Sequence, residues 1–530
     1  MKKPAEDTGK IARSAGTVSA AVMCSRVLGL IREQVFAGLF GAGFAYDSFV
    51  VAFRIPNLLR DLFAEGALST AFVTVFSDYD ANRGKEATWR LASNVLTVMA
   101  VLLSLVTLIG MWQAESLILL LAPHFVGIAN KVELTRQLTV IMFPFLVFIS
   151  VAAVVMGILN TKGRFFVPAM ASTFFNLGSI IGGVGFALLM PRFGQPAILG
   201  MAIGTLIGGL AQLVWQLPAL FKIGFVFKPV FDLREPGLLR VLKLMVPAII
   251  GLSATQINIF VNTNFASSLV EGSVSWLNYA FRLVQFPIGV FGVAVSIATL
   301  PVIARYAAIK DIARLKETYA SSLILAFSLT IPATVGLCLL AEPIIRLIFE
   351  HGAFTAFDTT RTAEALSYYS VGLFAYAAVK ITVPVFYALN DTRYPVMGSF
   401  LAVGANILII LLTIGSFGHR AIALSTSCAM IINFIFLSAI LYRRVQGYSL
   451  KYMFGGVLKI VVASLAMAGV LFLLSQGPAG LWGHGLWRES LALLVSITLA
   501  VAVYGGVLHV LKFQEMALIT GKIRERLKRK

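Results

Sequence analysis

Charge is scarce in this chain, and negative charge most of all. Asp and Glu number 24 against 43 Lys and Arg, and the four types together make only 13% of 530 residues. A soluble domain carries about 25% charged residues, so the several soluble domains that such a length would allow are excluded. A mean hydropathy of +0.88 points the same way. Cysteine is nearly missing. Cys24, Cys338 and Cys428 sit in apolar segments without CxxC spacing, which leaves neither a disulfide framework nor a thiolate metal site. The histidines His124, His351, His419, His484 and His509 are scattered and make no ligand cluster. Walker A, GxSxG, HExxH and dinucleotide-binding patterns are all lacking. No enzyme class is indicated, and neither cofactor nor metal is expected. The shortage of acids leaves a net charge of +19, which could suit nucleic acid. The excess lies in short loops and tails, however, the pattern of a membrane protein's cytoplasmic side. Nucleic acid is therefore not the expected partner. The charged segment Met1–Ser14 is not followed by a short apolar region with a small-residue cleavage site, so the first helix is expected to be retained.

What the chain has instead is apolar length. A spanning helix needs about 20 mostly apolar residues. About fourteen segments qualify: 15–40, 46–77, 89–113, 134–159, 165–190, 196–221, 238–269, 275–306, 319–343, 362–389, 395–417, 421–442, 453–475 and 489–511. Ser116–Leu121 and Pro343–Phe349 are too short to span and read as interfacial pieces. The expected fold is an all-α polytopic membrane protein. Short loops on one side carry about 29 Lys and Arg, and those on the other about 7. That places both termini in the cytoplasm, including the basic tail Gly521–Lys530, which reads as a topology determinant.

The chain also repeats itself. Asn160 and Asn176 have the same spacing as Asn390 and Asn406, and Ala52-Phe53-Arg54 returns as Ala280-Phe281-Arg282. Both pairs share an offset of about 230 residues. A duplicated six-helix unit follows, its two copies related by a pseudo-twofold axis along the membrane normal. The expected domains are an N-terminal lobe over 1–230, a C-terminal lobe over 231–450, and two extra helices with the tail over 451–530. The two lobes would enclose a central cavity.

The chemistry lies in charges where a bilayer disfavours them. Arg26, Arg32, Glu33, Asp47, Arg54, Arg60, Asp61 and Glu65 fall within the first two spans, and Arg282 and Lys380 within the second lobe. Such a charge costs about 2.5–3.5 kcal/mol on insertion scales, so it faces a bundle interior or a wet cavity. Asp47, Arg54, Asp61 and Glu65 share one stripe of an ideal helix, with Arg60 off it and Pro56 able to re-aim the residues after it. Arginine outnumbers acid, and its planar fork suits phosphate and carboxylate. A substrate carrying a diphosphate is the economical inference. Mutual pairing of these charges, Arg26 with Asp47 or Arg54 with Asp61, is the alternative reading of the same residues.

At these positions the chain resembles the MurJ (MviN) lipid II flippases. The matching strings are Ser25-Arg26-Val27-Leu28-Gly29, Arg32, Gly41-Ala42-Gly43, Asp47, Ala52 through Arg60 (AFRIPNLLR) and Phe63-Ala64-Glu65-Gly66-Ala67, then Gly272 through Trp276, Tyr279 through Leu283 and Phe286-Pro287. The resemblance covers essentially the whole chain. It implies a member of the multidrug/oligosaccharidyl-lipid/polysaccharide exporter superfamily in the bacterial inner membrane, moving lipid II outward by alternating access for cell wall synthesis. Lipid II and membrane lipids are the implied partners, in a setting shared with other cell wall synthesis proteins. The family's cavity arginines match Arg26, Arg32, Arg60 and Arg282, its acids Asp47 and Glu65, and its further cavity positions Ser25, Asn57 and Ser275; Arg54 joins them from its place on the stripe. The chain departs at Asp61, where a second arginine is common, and at Phe281, where some members carry Asp. The acids of the sodium site of some members have no counterpart in 238–269 or 395–417.

These residues carry definite expectations. The four arginines bind the diphosphate and head group, while Asp47 and Glu65 gate opposite ends of helix two. Helices thirteen and fourteen, almost free of charge, offer a groove for the prenyl tail. A flippase for another diphosphate-linked glycan lipid would use the same arginines. A cation-coupled drug exporter would favour acids instead, which the arginine surplus opposes.

Overall fold

The computed structural model describes residues 4–475 and 485–513, and every regular element among them is helical. The Glu65 side chain lies outside that description, as do most side chains before residue 20 and the tail over 514–530 on which the topology expectation partly rests.

Helices start and stop where the sequence supplies the means. α1 (Pro4–Phe40) closes on Gly41, whose φ of 62° favours glycine and whose N–H reaches the Ala37 carbonyl at 2.8 Å. α2 (Phe44–Arg60) passes into a π-helical turn over Asp61–Gly66 and continues as α3 (Ala67–Asn82). Then come α4 (Gly84–Trp112), the short α5 (Ala114–Leu121), α6 (Lys131–Met142), α7 (Phe145–Thr161), α8 (Phe166–Leu189) and α9 (Leu199–Lys222). α10 (Pro236–Ser267) begins at Glu235, whose carboxylate accepts from the Leu238 N–H at 2.7 Å.

The same order then returns. α11 (Ser273–Pro287) enters a π-helical turn over Ile288–Val293 and continues as α12 (Ala294–Ala308). α13 (Ile312–Leu339) leads to the short α14 (Ala341–Phe349), α15 (Ala356–Ser370), α16 (Leu373–Ala388), α17 (Arg393–Phe417) and α18 (His419–Arg444). The short helices α5 and α14 open 227 residues apart, in keeping with the offset of the sequence repeat. α19 (Leu450–Ser475) and α20 (Leu486–Val510) come after the repeat.

Among the described residues, eleven helices are long and apolar enough to cross a membrane, and twelve if α15 and α16, bent by 43° at their junction, form one span. The expected count of about fourteen is not reached on that measure. The expected spans that this count leaves out are α1 and α2–α3, both of which carry embedded charges.

The chain forms two compact units, Met1–Ser275 and Trp276–Lys530. In the first, α10 packs along α3, and its Leu238, Val241 and Met245 join Phe72, Phe76, Leu91, Val95 and Leu159 in one buried cluster. The compact division therefore falls after Ser275, whereas a count of helices through the repeat would start a second lobe near 231. Also within this unit, α8 and α9 run so close that a Cβ on Gly204 would stand 2.5 Å from the Gly183 Cα, a use of small residues common between membrane helices. In the second unit, α13, α16 and α18 share a core around Tyr319, Phe327, Ile381 and Leu437. α19 adds Ile460 and Ala463 to it.

Candidate functional site

Among the described side chains, the embedded acids Glu33, Asp47 and Asp61 are satisfied, but by partners that a helical stripe does not select. Asp47, in the first turn of α2, is 2% exposed. One carboxylate oxygen accepts from the Lys131 ammonium at 3.1 Å and from the Gly272 N–H at 2.9 Å. The other accepts from the Ser275 N–H at 2.9 Å and from the Ser275 hydroxyl at 2.6 Å. A buried carboxylate needs such compensation. The amides of Gly272 and Ser275 stand at the start of α11, where a helix leaves N–H groups without intrahelical partners. Asp47 thus caps α11 from another helix, and its negative charge suits that helix end.

By its place in the sequence Lys131 reads as an ordinary loop charge, and the structure corrects this. It is 1% exposed, stands over the rings of Phe125 and Phe44 at 4.5 and 5.6 Å, and has a second acid, Glu271, at 4.0 Å. A signal was available. Lys131 falls in register with Leu134, Thr135, Leu138 and Met142, the buried face of α6, while Glu133 lies off it and makes an exposed pair with Arg136.

The expected arginines are held by short-range and cross-helix bonds. Arg32 donates to Glu33 at 2.7 Å, and the second Glu33 oxygen accepts from the Tyr46 hydroxyl at 2.8 Å. The Arg32 guanidinium also stands 5.4 Å from the centre of the Phe175 ring. The Ser25 carbonyl accepts from the Asn176 amide at 3.0 Å, which ties α1 to α8, and Arg26 beside it is exposed. Arg54 donates to the Thr263 hydroxyl and, at 3.4 Å, to the Ile259 carbonyl, both on α10. Arg60 places two N–H groups on one Asp61 oxygen at 2.8 and 3.1 Å, and the Gln256 amide reaches the other oxygen at 3.3 Å.

Arg60 meets Asp61 where the ideal stripe breaks down. Pro56 removes a ladder bond, and the π-helical turn beginning at Asp61 resets the register of the residues beyond it. The Arg26–Asp47 pairing that the sequence allows is not the one Asp47 makes. Asn57 is half-buried on α2, and Ser275 is fully buried with its hydroxyl taken by Asp47. In the second unit, Arg282 is exposed on α11, and the Phe281 ring beside it packs 5.3 Å from Tyr369. No cluster of His, Cys, Asp and Glu that could hold a metal occurs among the described residues. An apolar groove of about 430 Å³ runs between α8 and α9, lined by Phe174, Ile181, Phe186 and Ile207 among others.

Comparison with known proteins identifies the family. Residues 36–493 match the family described as lipid II flippase MurJ. A relative from Vibrio cholerae, named a probable lipid II flippase MurJ, is 36% identical over 95% of this chain and 96% of its own length. One from Burkholderia cenocepacia, named lipid II flippase MurJ, is 34% identical over 94% of this chain and 97% of its own. A solved structure of lipid II flippase MurJ in an inward closed conformation superposes with a TM-score of 0.77 at 28% identity, covering 93% of this chain and 99% of that one. An inward-facing multidrug resistance MATE transporter of the MOP superfamily shares the fold, with a TM-score of 0.68 at 17% identity over 82% of this chain and 98% of that one. With its family's pattern matched from residue 36 to residue 493 and its full-length relatives above 30% identity, the chain belongs to the MurJ lipid II flippase family.

Proposed function

We propose that this chain is a lipid II flippase. It moves the lipid-linked peptidoglycan precursor from the cytoplasmic to the periplasmic leaflet of the bacterial inner membrane by alternating access, with both termini in the cytoplasm. The family match over residues 36–493 carries the reading. The charge chemistry supports it: Arg26, Arg32, Arg54 and Arg60, with Arg282 from the second unit, offer forked cations that suit a diphosphate. Ser25 and Asn57 add hydroxyl and amide donors. Arg32 and Arg60 each hold a neighbouring carboxylate now, and the substrate's phosphates would compete for those cations. Ser275 belongs to the same set, with its hydroxyl donated to Asp47 in this state.

Asp47 and Glu65 are assigned to opposite gates, about 27 Å apart at 1.5 Å per residue of helix. The prenyl tail would lose about 0.8 kcal/mol for each CH₂ drawn into a wet, charged site, so it needs an apolar path. We assign that path to α19 and α20, with the groove between α8 and α9 as the rival. The test is lipid II translocation in cells depleted of their own flippase. The chain should restore it, and inserted protein that restores none would overturn the reading. A tail-borne photocrosslinker recovered in α8 and α9, never in α19 and α20, would move the tail to the first unit.

A further inference from the structure

Lys131 is a fully buried cation outside the arginine set, and none of the roles given to the arginines and acids uses it. We propose that Lys131 is a positioning residue of the transport cycle, a resident counter-ion that holds the Asp47 carboxylate and, with Glu271, gives the segment 271–275 a second point of attachment. Its part in a cycle rests on the flippase reading; the pairing does not.

The two partners sit on neighbouring helices. Asp47 is on α2 and Lys131 on α6, and those two helices pack directly against each other. The ion pair is therefore internal to one packed pair of helices. The other ligands of Asp47 are the Gly272 N–H, the Ser275 N–H and the Ser275 hydroxyl, all neutral donors at the head of α11. Glu271, on the same segment, is half exposed and faces the Lys131 ammonium at 4.0 Å. The α2–α6 side thus presents one anion and one cation, and the segment answers with three donors and one carboxylate.

This division decides what can be exchanged. If 271–275 moves off, Asp47 loses three hydrogen bonds but keeps its ion pair with Lys131. Without Lys131, the carboxylate would be left in an apolar setting with no counter-charge, and removal of one member of a buried pair is the damaging change. The rings of Phe44 and Phe125 help hold the ammonium in place. Lys131 therefore makes capture and release of the segment a change in neutral hydrogen bonds and one half-exposed ion contact.

The experiment uses the full-length chain and the variants Lys131→Met, Lys131→Arg, Asp47→Asn, Glu271→Gln and the double variant Lys131→Met with Asp47→Asn. Lipid II translocation in flippase-depleted cells and the unfolding midpoint in detergent are both measured. Lys131→Met should cut translocation by roughly tenfold or more, and Lys131→Arg should stay within about threefold of the parent because guanidinium also pairs and stacks. The double variant should be no worse than Lys131→Met alone, since two residues acting as one unit are not additive. Should Lys131→Met fail to insert, the Arg and Glu271→Gln variants decide: an inactive Arg variant together with an unaffected Glu271→Gln overturns the proposal. Independent, multiplying losses in the double variant also overturn it. A parent chain without lipid II translocation, but with Asp47 and Lys131 coupled in unfolding, would remove the flippase reading and leave the pair. An active parent with additive unfolding effects would do the reverse.

Discussion

In the first unit, α2 runs to Arg60 and turns π-helical at Asp61; in the second, α11 runs to Pro287 and turns π-helical at Ile288. The two stretches share a register. Arg54 and Arg282 lie 228 residues apart, as do Asp47 and Ser275. At that same offset, however, Arg60 and Asp61 meet Ile288 and Gly289. The backbone device recurs while most of the charge does not. Each π-helical turn is held by a glycine in close contact, Gly66 against Leu252 of α10 and Gly292 against Ala377 of α16. Packing of that kind needs no charge, so it can survive duplication by itself. A buried charge needs a partner brought from elsewhere, such as Lys131 for Asp47 or Gln256 for Asp61. The lesson is that a repeat can conserve a bend while its two copies diverge in chemistry.

Removing the arginines should have the largest effect. Arg32→Ala combined with Arg60→Ala should lower lipid II translocation by about a hundredfold or more, since charge-assisted hydrogen bonds contribute about 1.5–3 kcal/mol each. Arg282→Ala alone should cost about tenfold on the same grounds. Membrane abundance must stay at the parent level for either result to count. Equal losses from Arg282→Ala and the double variant would show that charge is not concentrated in the first unit. Lys at these positions should be only partly tolerated, because an ammonium cannot reproduce the fork.

The two glycines separate next. A Cβ on Gly66 would stand 2.6 Å from the Asp61 carbonyl oxygen and closer still to the Leu252 side chain, whereas one on Gly292 would stand 3.0 Å from the Ala377 Cα. Gly66→Ala is expected to cost about 3 kcal/mol and Gly292→Ala about 1 kcal/mol, the range of overpacked sites. Unfolding midpoints in detergent would check the order, and a larger effect at Gly292 would reverse it.

Gating gives a directional test. Asp47→Asn should shift cysteine accessibility of α1 and α2 positions toward one face of the membrane and Glu65→Gln toward the other. Identical labelling in both variants and the parent would leave these acids with charge balance alone. The α10 supports should fall between the two glycines. Thr263→Val and Gln256→Leu each remove one hydrogen bond to a charged group of α2 or its π-helical turn, and each should cost about 1–2 kcal/mol in unfolding. No change in either would mean that Arg54 and Asp61 keep their places without α10.

The helices, the repeat and the presence of charges within apolar spans were legible in the sequence because each depends on local or periodic properties. Twenty apolar residues make a spanning helix wherever they occur, and an offset shared by two motifs survives without knowledge of contacts. Gly41 closes α1 through its own backbone. The π-helical turns were not legible. Pro56 warned of a break, but the π-helical turn over Asp61–Gly66, with Gly66 close against Leu252 of α10, appears only in the packing. Nor did helix counting reveal that α10 packs with the first unit, since that depends on the fit of Leu238, Val241 and Met245 into the α3–α4 core.

Sequence alone thus determined which segments are helical, that the chain duplicates its plan, and that charges lie deep within apolar spans. Tertiary structure decided which charges meet. Lys131 is 84 residues from Asp47, Gln256 is 195 from Asp61, and Ser275 is 228 from Asp47. Helical periodicity tells which way a side chain faces around its own axis, while the identity of the neighbour on that face depends on how separate helices pack.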